Sequence, residues 1–232
     1  MAIYAISDLH LSFETDKPMD VFGESWDDYI RKIHDNWIAT INENDTVIIP
    51  GDISWATYLK DAYKDFLFID SLPGTKLILK GNHDYWWTTV SKMEKFLLQN
   101  GFKSINLLHN KSIMIGRNAV CGARGWKSPS DKDFTQEDEK LYARELSRLE
   151  LSLMDGAKNR PDKIIVAIHF PPFGQEHEKS EFVRLMNKYG TDICVYGHLH
   201  GEALKNAFTG KLHDIEFKAI SADHLGFKPL LI

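Results

Sequence analysis

The stretch KLILKGNHD, residues 76–84, shows the pattern that decides the fold. Its apolar run, Leu77–Leu79, is followed at once by a polar cluster, Gly81–Asp84. A short apolar run of this kind is typical of a strand that is buried on both faces. The pairing of an apolar run with a polar cluster occurs four more times: Ile3–Ile6 with Asp8-Leu9-His10, Val47–Ile49 with Gly51-Asp52, Ile164–Ile168 with His169, and Ile193–Tyr196 with Gly197-His198-Leu199-His200.

Amphipathic segments separate several of these predicted strands. Between the first two strands, apolar residues from Trp26 to Ile41 follow helical spacing, and Ser25 with Asp28 forms a capping-box pattern at the start. Strands that alternate with helices predict βαβ units and a largely parallel sheet. Further helices are predicted over Trp55–Asp70 and Thr88–Gln99, after the cap residue Thr135, and near Ser180–Lys188.

The middle of the chain has a different pattern, with short apolar runs that follow one another closely. Ile105–Leu108, Ile113–Ile115 and Ala119–Gly122 are separated by turn residues, which predicts antiparallel strands at a sheet edge. Short strands around Phe208–Ile220 complete the fold. Without a repeat or a linker, we expect one α/β domain over residues 1–232.

Composition and charge narrow the functional classes. The chain of 232 residues has 43% hydrophobic residues and a net charge of −5, so we expect no binding to duplex nucleic acid. No apolar stretch reaches the roughly 18 residues of a membrane span, and the N-terminus turns polar at Ser7, unlike a signal peptide. Cys121 and Cys194 lie in separate apolar runs, which favours buried thiols and a cytoplasmic location.

The polar clusters carry metal-binding chemistry. Sites in open α/β sheets gather at the carboxyl ends of the strands, so the five clusters are expected to share one crevice. Their oxygen and nitrogen donors suit manganese, iron, zinc or a similar divalent ion. In an extended segment, residues i and i+2 point the same way, which predicts that Asp8 and His10 hold one ion together and that His198 and His200 are related likewise.

The ordered set Asp-x-His, Gly-Asp, Gly-Asn-His-Asp, a histidine after a strand, and Gly-His-x-His resembles the signature of the calcineurin-like metallophosphoesterases. The resemblance runs from residue 8 to residue 200 and implies a two-sheet β-sandwich flanked by helices, a four-layer αββα fold. It also implies two divalent ions and a metal-activated hydroxide that attacks a phosphomonoester or phosphodiester. The implied ligands are Asp8, His10 and His200 for one ion, Asn82, His169 and His198 for the other, and Asp52 as the bridge.

Three further residues are candidates for catalysis or substrate binding. His83 matches a non-ligand histidine of the family, which implies that it stabilises the phosphate and protonates the leaving oxygen. Asp84 is expected to orient the His83 ring, as carboxylates often do for catalytic imidazoles. Arg124, which follows an apparent strand, is the candidate substrate clamp outside the metals, with a surface salt bridge as an equal alternative.

The expected substrate is a small phosphate ester. A nucleotide-type diester is preferred because His83 is retained near the metals and aromatic residues, Tyr85-Trp86-Trp87, adjoin the proposed site. Packing in the core is the stronger interpretation of those three residues. Ile53-Ser54-Trp55 stands where protein Ser/Thr phosphatases continue with Asp-Arg-Gly, which argues against a protein substrate. The first block, Ser-Asp-Leu-His-Leu, also resembles that of bacterial UDP-diacylglucosamine hydrolases. Those enzymes typically carry arginine where this chain has His83, which argues against their substrate.

Two alternatives to an enzyme come from other classes. Some relatives of this fold have lost ligands and serve as interaction scaffolds. Here every ligand position is filled, which argues against a scaffold. Metal storage suits seven ligands but gives His83 no role. The remaining histidines, His34, His109, His177, His213 and His224, are expected at the surface or in hydrogen-bonded core positions. Two segments, residues 13–24 and 127–140, are the candidates for a lid, although the second is expected to be a solvated loop and helix start.

Overall fold

Two β-sheets run through residues 1–174 and 180–232, the part of the chain that the computed structural model describes. Their strands are β1 (Ile3–Ala5), β2 (Thr46–Pro50), β3 (Thr75–Leu79), β4 (Ile105–Leu107), β5 (Ile113–Ile115), β6 (Asn118–Ala123), β7 (Lys163–Ile168), β8 (Ile193–Tyr196), β9 (Gly210–Leu212), β10 (Ile215–Ala219) and β11 (Leu230–Leu231). The first sheet has the order β11-β1-β2-β3-β4, and the second has the order β5-β6-β7-β8-β10-β9.

Both sheets are mixed, with parallel strands in the middle and antiparallel strands at edges. In the first sheet β1 to β4 are parallel, and β11 runs antiparallel to β1. In the second sheet β6, β7, β8 and β10 are parallel, whereas β5 and β9 pair antiparallel with β6 and β10. The carboxyl ends of the parallel strands therefore meet along one edge of each sheet.

Residues of β2 show why the apolar runs are continuous. Ile48 packs in the apolar cluster between the two sheets, while Val47 and Ile49 point the other way, into the cluster beneath the helices. Successive side chains of a strand alternate between its faces, so a strand that is covered on both sides needs apolar residues throughout.

Helices cover the outer face of each sheet. They are α1 (Tyr29–Thr40), α2 (Tyr63–Ser71), α3 (Val90–Asn100), α4 (Gln136–Lys158) and α5 (Glu181–Lys188). Ile33, Phe66 and Met93 pack α1, α2 and α3 on the first sheet, whereas Leu149 and Phe182 pack α4 and α5 on the second. The predicted four-layer arrangement of two sheets flanked by helices is confirmed.

The sequence predicted correctly where the later helices begin. Thr135 caps α4 in a reciprocal capping box with Asp138, and Ser180 caps α5 by accepting a hydrogen bond from the Val183 N–H. Helix α3 begins close to the predicted position and has Thr89 as its cap. These caps satisfy amide groups that the first turn of a helix leaves without partners.

Two predictions about the early helices were wrong. Residues 55–58 are not helical, because the Trp55 N–H donates to the Leu11 carbonyl, and α2 itself begins only at Tyr63, after a short 3₁₀ turn. Ser25 and Asp28 form no capping box: Asp28 has a left-handed conformation, with φ of 53°, and its carboxylate pairs with Arg31. Contacts between distant segments override the local pattern in both places.

The short strands of the middle region do not form one antiparallel edge, as the sequence pattern predicted. β4 pairs parallel with β3 in the first sheet, and only β5 and β6 pair antiparallel, in the second sheet. The chain crosses between the sheets in the few residues after β4. Apolar runs alone do not specify which sheet a strand joins, because both sheets bury apolar faces.

Other expectations concern single residues and the membrane. Cys121 and Cys194 are buried free thiols, as predicted. Among the helices of residues 1–174 and 180–232, none combines the length and the apolar character that crossing a bilayer requires. His177, which was expected at the surface or in the core, falls outside the described residues.

Candidate metal centre

Sharp turns at the strand ends bring the polar clusters together. Asp8, His10, Asp52 and His198 all have left-handed backbone conformations, with φ between 47° and 73°. Such conformations are strained for residues other than glycine, and they concentrate at functional sites. The predicted extended geometry for the Asp-x-His and His-x-His pairs was therefore wrong, and His198 and His200 belong to different clusters.

The first cluster contains Asp8, His10 and His200, whose ligand atoms all lie within 4.8 Å of one another. The His200 Nε2 atom lies 3.3 Å from His10 Nε2 and 3.4 Å from Asp8 Oδ1. Its other ring nitrogen, Nδ1, lies 2.9 Å from Oδ1 of Asp223. A carboxylate accepts hydrogen bonds, so Nδ1 donates to Asp223 and Nε2 points into the cluster.

The second cluster contains Asp52, His169 and His198, again with ligand atoms within 4.8 Å of one another. Asn82 joins it, because its Oδ1 atom lies 2.7 Å from His169 Nε2. The His169 Nδ1 atom lies 3.0 Å from the carbonyl oxygen of Pro50, to which it donates. His169 therefore also presents Nε2 to the cluster.

Asp52 lies between the two clusters. Its Oδ2 atom is 3.4 Å from His169 Nε2 and 3.9 Å from His10 Nε2, one histidine of each cluster. The structure thus places all seven predicted ligands at one edge of the sheets. The position of Asp52 fits the bridging role that the family resemblance implies.

The carboxylates of the clusters favour their charged forms even though they are buried. Burial opposes the charge on Asp8, but hydrogen bonding and positive charge from His200, with contributions from His169 and His10, lower its pKa far below the usual range. For Asp52, too, burial opposes the charge, and His169 outweighs it and lowers the pKa. The centre therefore attracts positive charge.

The four histidines divide into two pairs. Burial lowers the pKa of His10 and of His198 to about 4, so both are neutral at pH 7 and offer a lone pair. Burial acts in the same direction on His169 and His200, but nearby carboxylates, chiefly Asp52 for His169, outweigh it and raise their pKa values to about 9 and about 10.

This donor set fits divalent metal ions. Carboxylate, amide and imidazole groups converge from both sheets, and oxygen and nitrogen donors of this kind suit divalent ions. The raised pKa values of His169 and His200 mean that both carry protons when no metal is bound, and a divalent cation would replace that positive charge. Metal binding to histidine displaces such protons.

Asp84 has a different role from the predicted one. Its carboxylate is fully buried and makes no hydrogen bond to the His83 ring, so it does not orient that ring. Instead it ties the loop after β2 to the loop after β3, which carry Asp52 and Asn82. Its hydrogen-bond donors are the backbone N–H groups of Asp52, Ile53, Ser54 and Gly81 and the Trp86 indole N–H.

Two glycines allow the loops to approach this closely. A Cβ atom on Gly81 would lie 2.1 Å from an Asp52 carboxylate oxygen, and one on Gly197 would lie 2.2 Å from an Asp8 carboxylate oxygen. Contacts this short are not tolerated, so any other residue would displace a proposed ligand. Glycine at both positions therefore lets the carboxylates of Asp52 and Asp8 keep their places in the centre.

His83 stands beside both clusters without being part of either. Its backbone N–H donates to Asp52 Oδ1 at 2.8 Å, and its ring centroid lies 4.6 Å from that of Trp55 and 5.8 Å from that of His10. The Nδ1 atom of the ring is buried and has no hydrogen-bond partner within residues 1–174 and 180–232. The half-buried ring thus lies beside both clusters with one buried nitrogen unpaired.

Comparison with known proteins agrees with this geometry. The sequence model of the calcineurin-like phosphoesterase family matches residues 1–202. The chain belongs to the calcineurin-like phosphoesterase family. This membership makes the protein a phosphoester hydrolase by class, and the two clusters are its candidate sites for divalent metal ions.

Solved structures share the fold of this phosphoesterase. The phosphopantetheinyl hydrolase of Mycobacterium tuberculosis has a TM-score of 0.57 at 11% identity, covering 100% of this chain and 95% of its own. The protein of unknown function AQ665 from Aquifex aeolicus has a TM-score of 0.54 at 18% identity, covering 99% and 95%. No curated protein shows a significant sequence match. These structural likenesses concern the fold alone.

Arg124 lies at the side of the phosphoesterase centre and does not contact the proposed ligand atoms with its guanidinium group. That group is 3.3 Å from Glu145 and stacks over the Trp126 ring at 4.4 Å. Its backbone carbonyl accepts a hydrogen bond from the His169 N–H at 3.0 Å. The predicted alternative was a salt bridge at the surface; the salt bridge is present but nearly buried, with side chains 12% and 1% exposed. Substrate binding by Arg124 stays a prediction.

Sequence reasoning missed two residues that support the centre. Asp223 holds the His200 ring, and Trp55 stacks on the His10 ring with centroids 4.8 Å apart. Asp223 follows β10, so the rule of polar residues after strands contained the signal. Trp55 was included in a helix, and nothing in the local pattern pointed to its packing against His10.

The aromatic residues Tyr85, Trp86 and Trp87, which follow His83, differ in their exposure. Trp86 is buried, with its indole N–H donating to Asp84 at 3.1 Å, so the expected core packing is confirmed for this residue. Tyr85 is 62% exposed, and its ring centroid lies 6.3 Å from that of His83. Trp87 is partly buried against the core and lines a neighbouring cavity, so Tyr85 is the exposed ring of the three.

Proposed function

We propose that this phosphoesterase hydrolyses a phosphomonoester or phosphodiester at a pair of divalent metal ions. The position of Asp52 between two clusters of ligand atoms is the observation that carries the proposal. The donors suit manganese, iron or zinc. One ion would be held by Asp8, His10 and His200, the other by Asn82, His169 and His198, and both by Asp52.

Different residues of the chain have different roles in hydrolysis. When bound, divalent ions polarise the phosphoryl oxygens and lower the pKa of water to roughly 7, which makes the attacking nucleophile available at neutral pH. Asp84 and the two close-packed glycines hold the loops so that Asp52 and Asn82 keep their positions. Groups held in place before the reaction act without reorganisation.

His83 would provide the proton for the leaving oxygen. It is anchored through its backbone N–H on Asp52, and the contact with Trp55 fixes the plane of its ring. The half-buried ring lies beside both clusters, where the leaving oxygen of a phosphate ester bound at the centre would lie. General-acid catalysis of this kind typically contributes about 10²–10⁴-fold.

A nucleotide-type substrate is the preferred one within this class. The exposed ring of Tyr85 adjoins His83, so a base or another aromatic group of the substrate can stack there while its phosphate meets the centre. Stacking of this kind contributes roughly 1–3 kcal/mol per base.

Hydrolysis of two generic esters by chelator-stripped protein tests the proposal. Bis(p-nitrophenyl) phosphate is a diester and p-nitrophenyl phosphate is a monoester, and each is assayed with and without Mn²⁺, Zn²⁺ or anaerobic Fe²⁺. We expect turnover of at least one ester only when metal is present, with loss on renewed chelation. Absence of turnover with every metal would refute the proposal and favour the non-catalytic metal-binding scaffold.

A further inference from the structure

A cavity with a volume of about 560 Å³ lies beside the metal centre. Its walls come from the residues that follow β3, β4 and β6, from one face of α4, and from the start of α3. These strand ends belong to the same carboxyl edges that carry the metal centre. The ionisable side chains of this basic pocket are Lys80, His109, Arg124, Arg144, Glu145 and Arg148.

Positive charge dominates the basic pocket. Glu145, whose side chain is only 1% exposed, lies 2.7 Å from Arg148, 3.3 Å from Arg124 and 3.7 Å from Arg144. One carboxylate holds three guanidinium groups in place but neutralises only one of them. Lys80 lines the same cavity and forms no ion pair within residues 1–174 and 180–232. The pocket therefore carries an excess of three positive charges.

One unpaired donor and a helix N-terminus reinforce this charge. The Arg124 Nε atom is buried without a hydrogen-bond partner in the described part of the chain. Thr88, Thr89 and Val90 form the part of the wall where α3 begins, and the N-terminal end of a helix favours anions. Guanidinium groups match phosphate oxygens in geometry as well as in charge.

The basic pocket is close enough to serve the same substrate as the metal centre. Lys80 is two residues from the proposed ligand Asn82, so their Cα atoms lie at most about 7 Å apart. On the opposite wall, the Arg124 carbonyl accepts the N–H of His169 at 3.0 Å. Two of the segments that line the pocket, those after β3 and after β6, are thus joined through the backbone to proposed metal ligands.

We propose that the basic pocket binds a second phosphate group of the substrate, so that the natural substrate is a phosphate ester that carries a further phosphate. This inference rests on the proposed function and narrows it. Arg124 is only 12% exposed, and repulsion between its charge and the neighbouring positive charges would be relieved by a bound anion. A phosphate dianion would offset two of the three positive charges that Glu145 leaves unbalanced.

A matched pair of esters tests the inference in the metal-loaded enzyme. Thymidine 5′-(p-nitrophenyl phosphate) and its 3′-phosphorylated form share the same scissile bond and differ only in the second phosphate. We expect the 3′-phosphate to lower KM by about 10-fold or more, as hydrogen bonds to charged groups do. Replacing Lys80 or Arg144, as Lys80→Gln or Arg144→Gln, abolishes this preference.

Both substitutions avoid the strongest contact of Glu145, which is with Arg148, so we expect both variants to fold. Arg184→Gln is the matched control: it removes one positive charge from an exposed position on α5 and should keep the preference. Thermal melting of all three variants checks that a lost preference does not reflect unfolding.

Binding of inorganic phosphate to chelator-stripped protein tests the pocket without any turnover. Calorimetry should show phosphate binding to the wild type and to Arg184→Gln, and binding roughly 10-fold weaker for Lys80→Gln. An absence of phosphate binding to the stripped wild type overturns the inference, whether or not the enzyme is active with metal.

The two measurements also separate the inference from the proposed function. Phosphate binding with equal KM for the two thymidine esters would mean that the pocket takes a free anion, which overturns its assignment to the substrate. If no ester is turned over with any metal, the proposed function fails and the substrate assignment fails with it. The phosphate measurement still reports on the pocket in that case.

Discussion

The metal centre and the basic pocket share one edge of the sheets, and their charges are opposite. In the metal centre, ionised Asp8 and Asp52 attract positive charge, and two histidines hold protons there. In the basic pocket, three guanidinium groups surround the single carboxylate of Glu145. Parallel strands deliver polar residues to the same edge, and the sign of the charge then decides whether a region binds cations or phosphate.

The two regions also differ in how firmly their side chains are held. Asp8 and His169 are fully buried, and the imidazoles of His169 and His200 are fixed by acceptors outside the clusters. In the basic pocket the Arg144 side chain is 51% exposed. Charges near solvent are screened, whereas buried ones are screened much less. Substitutions should therefore have larger effects in the metal centre.

The largest effect is expected from Asp52→Asn, because both clusters use this carboxylate. Turnover should fall by more than the roughly 10²–10⁴-fold that loss of one proton-transfer group causes, and bound metal per chain should fall as well. Kinetics and elemental analysis measure the two quantities, with the exposed Asp35→Asn as control. Full metal content with normal turnover would remove Asp52 from the centre.

His83→Ala should reduce turnover by roughly 10²–10⁴-fold and leave the metal content unchanged, because His83 stands beside the clusters and supplies no ligand atom. The exposed His34→Ala is the matched control. If turnover is unaffected, His83 has no part in the reaction, and if metal is lost, His83 supports the clusters instead.

Asp223→Asn should weaken metal binding by about 10–100-fold, since residues that orient a metal-binding histidine typically contribute that much. The Asp223 carboxylate holds His200 at 2.9 Å and belongs to the outer layer of the centre. Asp214→Asn, at a fully exposed position, provides the control. Equal metal affinity in the two variants would show that His200 needs no partner.

The smallest effect is expected from salt, and it concerns only the basic pocket. Raising NaCl from about 0.05 M to about 0.5 M should raise KM for the 3′-phosphorylated thymidine ester a few-fold, because exposed charges such as that of Arg144 are screened. KM for the ester without the 3′-phosphate should change less. An equal salt dependence of the two esters would argue against separate regions.

Most of the metal centre could be predicted from the sequence, because each proposed ligand follows an apolar strand. The family resemblance also implied that His198 and His200 separate, and the structure places them in different candidate clusters. The local argument for paired ligands failed, because left-handed turns at Asp8 and His198 replace extended backbone there.

What could not be predicted depends on contacts between distant segments. Asp84 follows His83 in sequence, yet its carboxylate binds the loop after β2, about thirty residues away. Trp55 reaches His10 only because its backbone pairs with Leu11. The basic pocket needs β4 in the first sheet and β6 in the second, an arrangement that apolar runs do not encode.

Metal titration with parallel assay is the most direct test of the central claim that two ions act together at a shared carboxylate. Mn²⁺ or Zn²⁺ is added in steps to chelator-stripped protein, with binding followed by calorimetry and turnover measured at each step. We expect two ions per chain, with full activity only when both are bound. Saturation of binding and activity at one ion per chain would contradict it.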